Sequence, residues 1–330
     1  MNICLIGAGR IGIVHSKNIY NNKKINLKYV VDTNFDSAKK LAKKYESVPI
    51  RTVDEVLKKK DFDSVLIGSA TNTHVDFIKK FSERKINIFC EKPIDLNINK
   101  VISCENILKK NRTNFFIGFM RRFDPSLMKL KKYIDSGKIG KLRMISITSR
   151  DPSPPPISYV KVSGGIFLDS QIHDIDIARW LMSENPIEVF ARGSCLIDKK
   201  IGRAGDFDTV NTILKTKTGL LCQINNSRQS SYGYDQRVEA FGSKGMISTT
   251  NLRDSNLEIS LKNSTNSKDN YQHFFLERYK EAFVNEIDNF VDIINRKGRP
   301  SPDFNDGLIA MKIADAAKKS ANNNKIIYLD

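Results

Sequence analysis

The first half of the chain alternates short, wholly apolar runs with longer stretches in which apolar residues recur every three or four positions. NICLIG (2–7), LKYVVD (27–32), SVLIGSA (64–70), INIFCEK (86–92) and NFFIGF (114–119) are too short for helices and carry little polar alternation. That is the pattern of strands covered on both faces. The segments near 11–22, 36–46, 73–84 and 97–111 carry the helical period. Together they predict an α/β domain over residues 1–120, a doubly wound parallel sheet of the Rossmann type.

Past residue 120 the rhythm changes. Runs near 142–149, 187–197, 209–216, 219–226, 236–241 and 257–261 follow one another across turns such as KTG (217–219) and GSKG (242–245). A large open, mostly antiparallel sheet is expected, within an α+β domain over 121–330. Helical patterns at 273–296 and 304–322 close the chain, the last one a candidate to pack back on the first domain. DPSPPP (151–156) has to be extended, because proline blocks both helix and inner strand. A stiff connector and the wall of a site are equally open readings of it.

Composition narrows the class. At 330 residues, 40% hydrophobic and 28% charged, the chain is long enough for two domains with separate cores. No apolar run approaches the roughly 18–20 residues that span a bilayer. The first run, Ile3 to Ala8, is too short for a signal-peptide core, so a cytoplasmic protein is expected. Five dispersed cysteines fit reduced core thiols. The net charge of +17 comes from lysines spread along helical stretches such as SAKKLAKKY (37–45), not gathered with aromatics, so no nucleic-acid partner is expected.

Gly7-Ala8-Gly9-Arg10-Ile11-Gly12 stands between the first strand and the first helix as GxGxxG. The first glycine permits the turn, the second lets backbone approach a pyrophosphate, and the third lets helix pack on strand. The helix N-terminus then offers N–H groups to phosphate. Asp32 ends the second strand, where a carboxylate accepts both ribose hydroxyls and repels a 2′-phosphate, and no arginine follows it. NAD is therefore expected over NADP.

GGIFLDSQIHDIDIARW (164–180) raises a separate question. Read as one α-helix, it puts Asp169, His173 and Asp176 at i, i+4 and i+7 on one face, beside an apolar stripe of Leu168, Ile172 and Ile175. A capped helix start with scattered charge, a metal site and an acid–base pair are the three readings. Metal is disfavoured by the lack of a second histidine or a cysteine cluster nearby. His173 can titrate near neutral pH, with Asp169 orienting it.

CEKPIDLN (90–97), together with GAGRIGIVH (7–15), SATNTH (69–74), GFMRRFDPS (118–126), SGGIFLDSQIHDIDIARW (163–180) and EAFGSKGM (239–246), resembles the Gfo/Idh/MocA family of NAD(P)-dependent sugar and cyclitol oxidoreductases over essentially the whole chain. The resemblance implies that Lys92, Asp169 and His173 are catalytic. It implies cofactor contacts at Gly7, Gly9, Arg10, Ile11, Gly12, Asp32, Ala70, Asn72, His74, Glu91 and Lys92. It also implies substrate contacts at Arg122, Asp176 and either Tyr232 or Tyr234, no metal, a second domain that binds substrate and self-associates, and a homotetramer. The implied reaction is NAD-dependent oxidation of a cyclitol alcohol, myo-inositol to its 2-keto product. Scyllo-inositol or a pyranose is the alternative substrate, and a non-catalytic NAD-bound regulator the alternative of another class. Lys92 taken alone could equally be an ordinary lysine at a strand end.

Overall fold

The computed structural model describes residues 1–296 and 298–329. The chain forms two compact units, Met1–Met120 with Ala282–Met311, and Arg121–Glu281 with the residues from Lys312 onward. Sequence patterning places a single break after residue 120; the first unit also takes in Ala282–Met311.

In the first unit, β1 (Asn2–Ile6), β2 (Asn26–Val31), β3 (Val48–Ile50), β4 (Ser64–Ile67), β5 (Asn87–Glu91) and β6 (Phe115–Gly118) form a parallel sheet. Its order is β3-β2-β1-β4-β5-β6, so the strand order reverses between β1 and β4. Ligands of such sheets bind outside the carboxyl ends of the strands at that reversal. The short β3 and the helix Val53–Leu57 escape the apolar pattern because neither is long enough to show a period.

The late segment completes this unit's core. Ile287, Phe290 and Val291, spaced along helix Lys280–Arg296 so as to share a face, join Leu5, Leu66, Phe89 and Phe116 in one buried cluster. The ring of Phe290 stands edge-on to Phe116 at 5.0 Å and to Phe89 at 5.6 Å between centroids. The helical pattern expected over 273–296 is broken in two, Phe275–Arg278 and then Lys280–Arg296.

The second unit is built on β7 (Leu142–Arg150), β8 (Pro186–Ser194), β9 (Thr209–Thr216), β10 (Leu221–Ser227), β11 (Asp235–Gly242) and β12 (Gly245–Ser248). A separate hairpin follows, β13 (Glu258–Leu261) and β14 (Ser264–Lys268), and β15 (Ile327–Tyr328) returns to the sheet edge. The sheet order is β12-β11-β7-β10-β9-β8-β15, antiparallel throughout except for the parallel pair β7/β10. One face is apolar and buried, with Ile145, Ile147, Leu214, Cys222 and Ile224, and helix Ile172–Met182 lies against β7 and β10.

The stretch expected as one α-helix is not uniform. A π-helical turn, Phe167–Gln171, precedes the α-helix Ile172–Met182, so Asp169 sits on a widened turn and only His173 and Asp176 share the α-helical register. The entry is fixed from outside: Gly164 and Gly165 have φ of 90° and 87°, and the Ile166 N–H donates to Asp206 Oδ1 at 2.9 Å. A Cβ on Gly165 would stand 2.7 Å from that same oxygen. Leu168 of the expected apolar stripe is only half-buried, whereas Ile172 and Ile175 are fully buried.

Phe290→Ala removes the ring that joins the late helix to the parallel sheet. It should lower the unfolding free energy by about 3–5 kcal/mol, read from the urea midpoint at constant m-value.

Candidate active site

In the first unit the three glycines each have a distinct steric environment. Gly7 has φ of 101°, and a Cβ there would lie 2.6 Å from Gly68 O, so the turn packs directly on the loop after β4. A Cβ on Gly12 would come within 2.0 Å of Gly7 O, which fixes the close approach of helix Arg10–Asn21 to the loop. A Cβ on Gly9 meets nothing within 4 Å. Open space thus lies beside the helix N-terminus, where a pyrophosphate is bound in this fold. Asp32 is held at the edge of that loop, its Oδ2 accepting from Ala8 N and its Oδ1 from Asn34 N, both at 2.7 Å. These residues fit a dinucleotide with unphosphorylated ribose hydroxyls.

The loops after β4 and β5 are tied together by His74. Its ring nitrogens lie 3.0 Å from Pro93 O and 3.0 Å from Ser69 O, and burial pushes its pKa down. Ala70 and Asn72, in the same loop, are exposed. Glu91 is buried behind Lys92: its Oε1 accepts from His15 Nε2 at 2.6 Å and its Oε2 from the Lys92 N–H at 3.3 Å. Glu286, 1% exposed, has both carboxyl oxygens without a hydrogen-bond partner. Burial, and then the charge of Glu91, push its pKa well up. His15 and Glu286 had no signal of their own in the sequence, since each is one of several polar residues within an amphipathic helix.

In the second unit, helix Ile172–Met182 is buried on nearly every side, yet it carries Asp174 and Asp176. Each is matched by an arginine. Arg122 grips Asp176 with both prongs, Nε on Oδ2 at 2.8 Å and Nη2 on Oδ1 at 2.6 Å. Arg121 donates to Asp174 Oδ1, and Asn226 donates to Asp174 Oδ2 at 2.6 Å. Gln171 continues this chain, donating to Asn226 and accepting from Thr212 at 2.9 Å.

Asp169 accepts from the Tyr159 hydroxyl at 2.8 Å and lies 3.6 Å from the guanidinium of Arg228. His173 is 7% exposed. Tyr234 is buried, its hydroxyl 3.4 Å from Arg121 Nη2, and burial pushes that phenol well up. Tyr232 is 45% exposed and bridges Arg150 and Asp235 through its hydroxyl, at 2.8 Å on each side.

Asp151, at the start of the proline-rich loop, is a further acid here that sequence patterning did not single out. Its backbone N–H is fixed on Ser227 O at 2.9 Å. Burial pushes its carboxyl up to about 6, against the pull of Arg228 and Arg121, while the charges of Asp169 and Asp174 add to the rise. The sequence signal was available, an acid joining a strand end to a rigid loop, but strand ends with an acid are common. Among the described residues, no group of three or more His, Cys, Asp or Glu side chains is placed to hold a metal ion.

A glycine loop closed by an acid at a sheet reversal, in a chain whose second unit buries an aspartate and a histidine at a helix start, defines a nucleotide-dependent oxidoreductase. Comparison with known proteins agrees. Residues 1–119 match the oxidoreductase family NAD-binding Rossmann fold, and residues 127–248 match the GFO/IDH/MocA C-terminal domain. The chain belongs to the GFO/IDH/MocA family and is an NAD-dependent oxidoreductase.

It is 44% identical to inositol 2-dehydrogenase of Rhizobium meliloti (strain 1021), covering 98% of each chain. The crystal structure of a myo-inositol dehydrogenase from Corynebacterium glutamicum ATCC 13032 matches with a TM-score of 0.97 at 41% identity, over 100% of this chain and 99% of that one. The structure of scyllo-inositol dehydrogenase from Lactobacillus casei with bound NAD(H) and scyllo-inositol matches with a TM-score of 0.92 at 27% identity, over 99% and 98%.

The raised Asp151 has a signed consequence for stability. Its folded value near 6 exceeds its unfolded value of about 4, so ionising it opposes folding. That cost is absent below about pH 4 and complete above about pH 6. Asp151→Asn should therefore raise the melting temperature above pH 6, and the gain should vanish as the pH falls toward 4, in thermal melts taken across that range.

Proposed function

We propose that the protein oxidises a ring hydroxyl of a cyclitol, first myo-inositol to 2-keto-myo-inositol (scyllo-inosose), with NAD as acceptor. The observation that carries this reading is the full-length likeness, at 41–44% identity, to proteins named as dehydrogenases of inositol. Scyllo-inositol is the second candidate, favoured by the likeness to the Lactobacillus casei protein solved with that ligand.

The bound nicotinamide supplies a hydride acceptor; the chain supplies the rest. Gly7, Gly9, Arg10, Ile11 and Gly12 hold the pyrophosphate, Asp32 takes the adenosine ribose and disfavours NADP, and the loops bearing Ala70, Asn72, His74 and Glu91 border the same ligand. His173 takes the hydroxyl proton and must be neutral to do so. Asp169 stabilises the imidazolium that forms. Lys92 hydrogen-bonds the reacting oxygen as negative charge develops on it. Arg122 and Asp176 serve the remaining hydroxyls as a preorganised pair, and the exposure of Tyr232 favours it over the buried Tyr234 as the aromatic contact. Five free cysteines suit a reducing, cytoplasmic setting.

We also read the outer face of the second sheet as the surface of a homotetramer. Met246, Phe241, Met144 and Leu221 occupy one row across four adjacent strands, all exposed. The row continues into Lys215 and Glu188, paired at 2.8 Å. A monomer would leave this row in water.

A panel of inositols and pyranoses, followed by NADH absorbance, tests the reading. The expected result is turnover of an inositol with NAD well ahead of NADP; activity confined to pyranoses would overturn the substrate assignment. In that assay His173→Ala should lower kcat by about 10²–10⁴-fold with NAD affinity retained, and the rise of the remaining oxidation with pH should be lost. Lys92→Met should remove activity in a folded protein. Light scattering at micromolar concentration should give the mass of four chains, and a monomer would refute the assembly.

A further inference from the structure

Arg228 follows the last residue of β10 and turns inward to 1% exposure. Its backbone N–H is fixed on Asp208 O at 2.8 Å. Its Nη2 donates to Asp206 Oδ2 at 3.0 Å, and its Nη1 lies 3.6 Å from Asp169 Oδ2. One guanidinium thus serves two aspartates from two elements, the π turn and the loop before β9.

Two details separate it from an ordinary internal ion pair. Asp206 uses its second oxygen on the Ile166 N–H, so the partner that orients Arg228 also fixes the start of the π turn that carries Asp169. The Nε of Arg228 is buried without a hydrogen-bond partner. A buried cation with an unspent N–H costs stability, and replacing it with apolar groups would remove that cost. What offsets the cost is on the side of the acids. Two carboxylates close together each disfavour the other's ionisation, and a cation between them reverses that.

We propose that Arg228, oriented by Asp206, is a positioning residue of the reaction: it fixes the Asp169 carboxylate at the start of the helix that bears His173. The inference rests on the reading of Asp169 and His173 as the acid–base machinery. Tyr159 completes the setting by donating to the other Asp169 oxygen.

The test measures kcat and KM for inositol oxidation across the pH profile in the unaltered protein, Arg228→Lys and Arg228→Gln, with NAD affinity measured separately. Arg228→Gln should lower kcat about 10–100-fold at neutral pH, more than it changes KM, because Asp169 loses the cation that holds it. NAD affinity should be unchanged, and Arg228→Lys, which keeps the charge, should recover most of the loss. Since Arg228→Gln leaves Asp206 buried and unpaired, the neutral pair Arg228→Gln/Asp206→Asn supplies a second variant for the same profile if the single one does not fold. A near-normal kcat in Arg228→Gln, or a lysine variant as impaired as the glutamine one at every pH, would overturn the proposal while inositol oxidation by the unaltered protein still stood. Absence of that oxidation in the unaltered protein would remove the functional reading, and this inference with it.

Discussion

Buried guanidinium–carboxylate pairing is the constraint on which the second unit depends. Arg121, Arg122, Arg228 and Arg278 are all below a tenth exposed, each against an aspartate. A guanidinium cannot shed its proton to escape burial, so each needs its partner in place, and stripping one partner from such a pair typically costs about 3–5 kcal/mol. The gain is geometric. Helix Ile172–Met182 can be enclosed on nearly all sides while carrying acids, because every carboxylate it buries meets a fixed cation. Enclosure in turn holds His173 and the π turn before it in one arrangement.

The first unit solves a different problem with little charge. Its glycine loop works by absence: Gly12 has no room for a side chain, Gly7 needs a positive φ, and Gly9 leaves space for something that is not protein. Asp32 bonds the backbone of that loop on one side and of the following turn on the other, so the residue assigned to the ribose is also a clasp for the loop. Behind Lys92, the Glu91–His15 pair and the buried Glu286 make a polar centre inside an otherwise aromatic core, with the His15 ring edge-on to Phe89 and Phe283.

What the sequence disclosed was whatever rests on local spacing. The parallel strands, GxGxxG and the acid at the end of β2 are all written within a few tens of residues. What it hid rests on partners far apart in the chain. Arg121 and Asp174 are 53 residues apart, and nothing in either neighbourhood announces the other. Arg228 lay unnoticed beyond a strand end, although it stands against both Asp206 and Asp169. The π turn was equally invisible, and the Asp206 side chain that holds the Ile166 N–H at its start comes from 40 residues further along the chain. Asp174, which no spacing argument singles out, is fully buried and held by Arg121 and Asn226.

The return of Ala282–Met311 to the first unit has a consequence for how the protein is made. On the ribosome the six parallel strands emerge long before Ile287, Phe290 and Val291, which belong to their core. At about 5–20 residues per second, the sheet waits roughly 10–30 s with the surface around Phe89 and Phe116 uncovered. Arg121–Glu281 is synthesised during that wait, although its own sheet gains its edge strand only when Ile327 and Tyr328 emerge. The unit that begins the chain therefore cannot close its core until most of the other has been made, and its apolar face stays open for that interval.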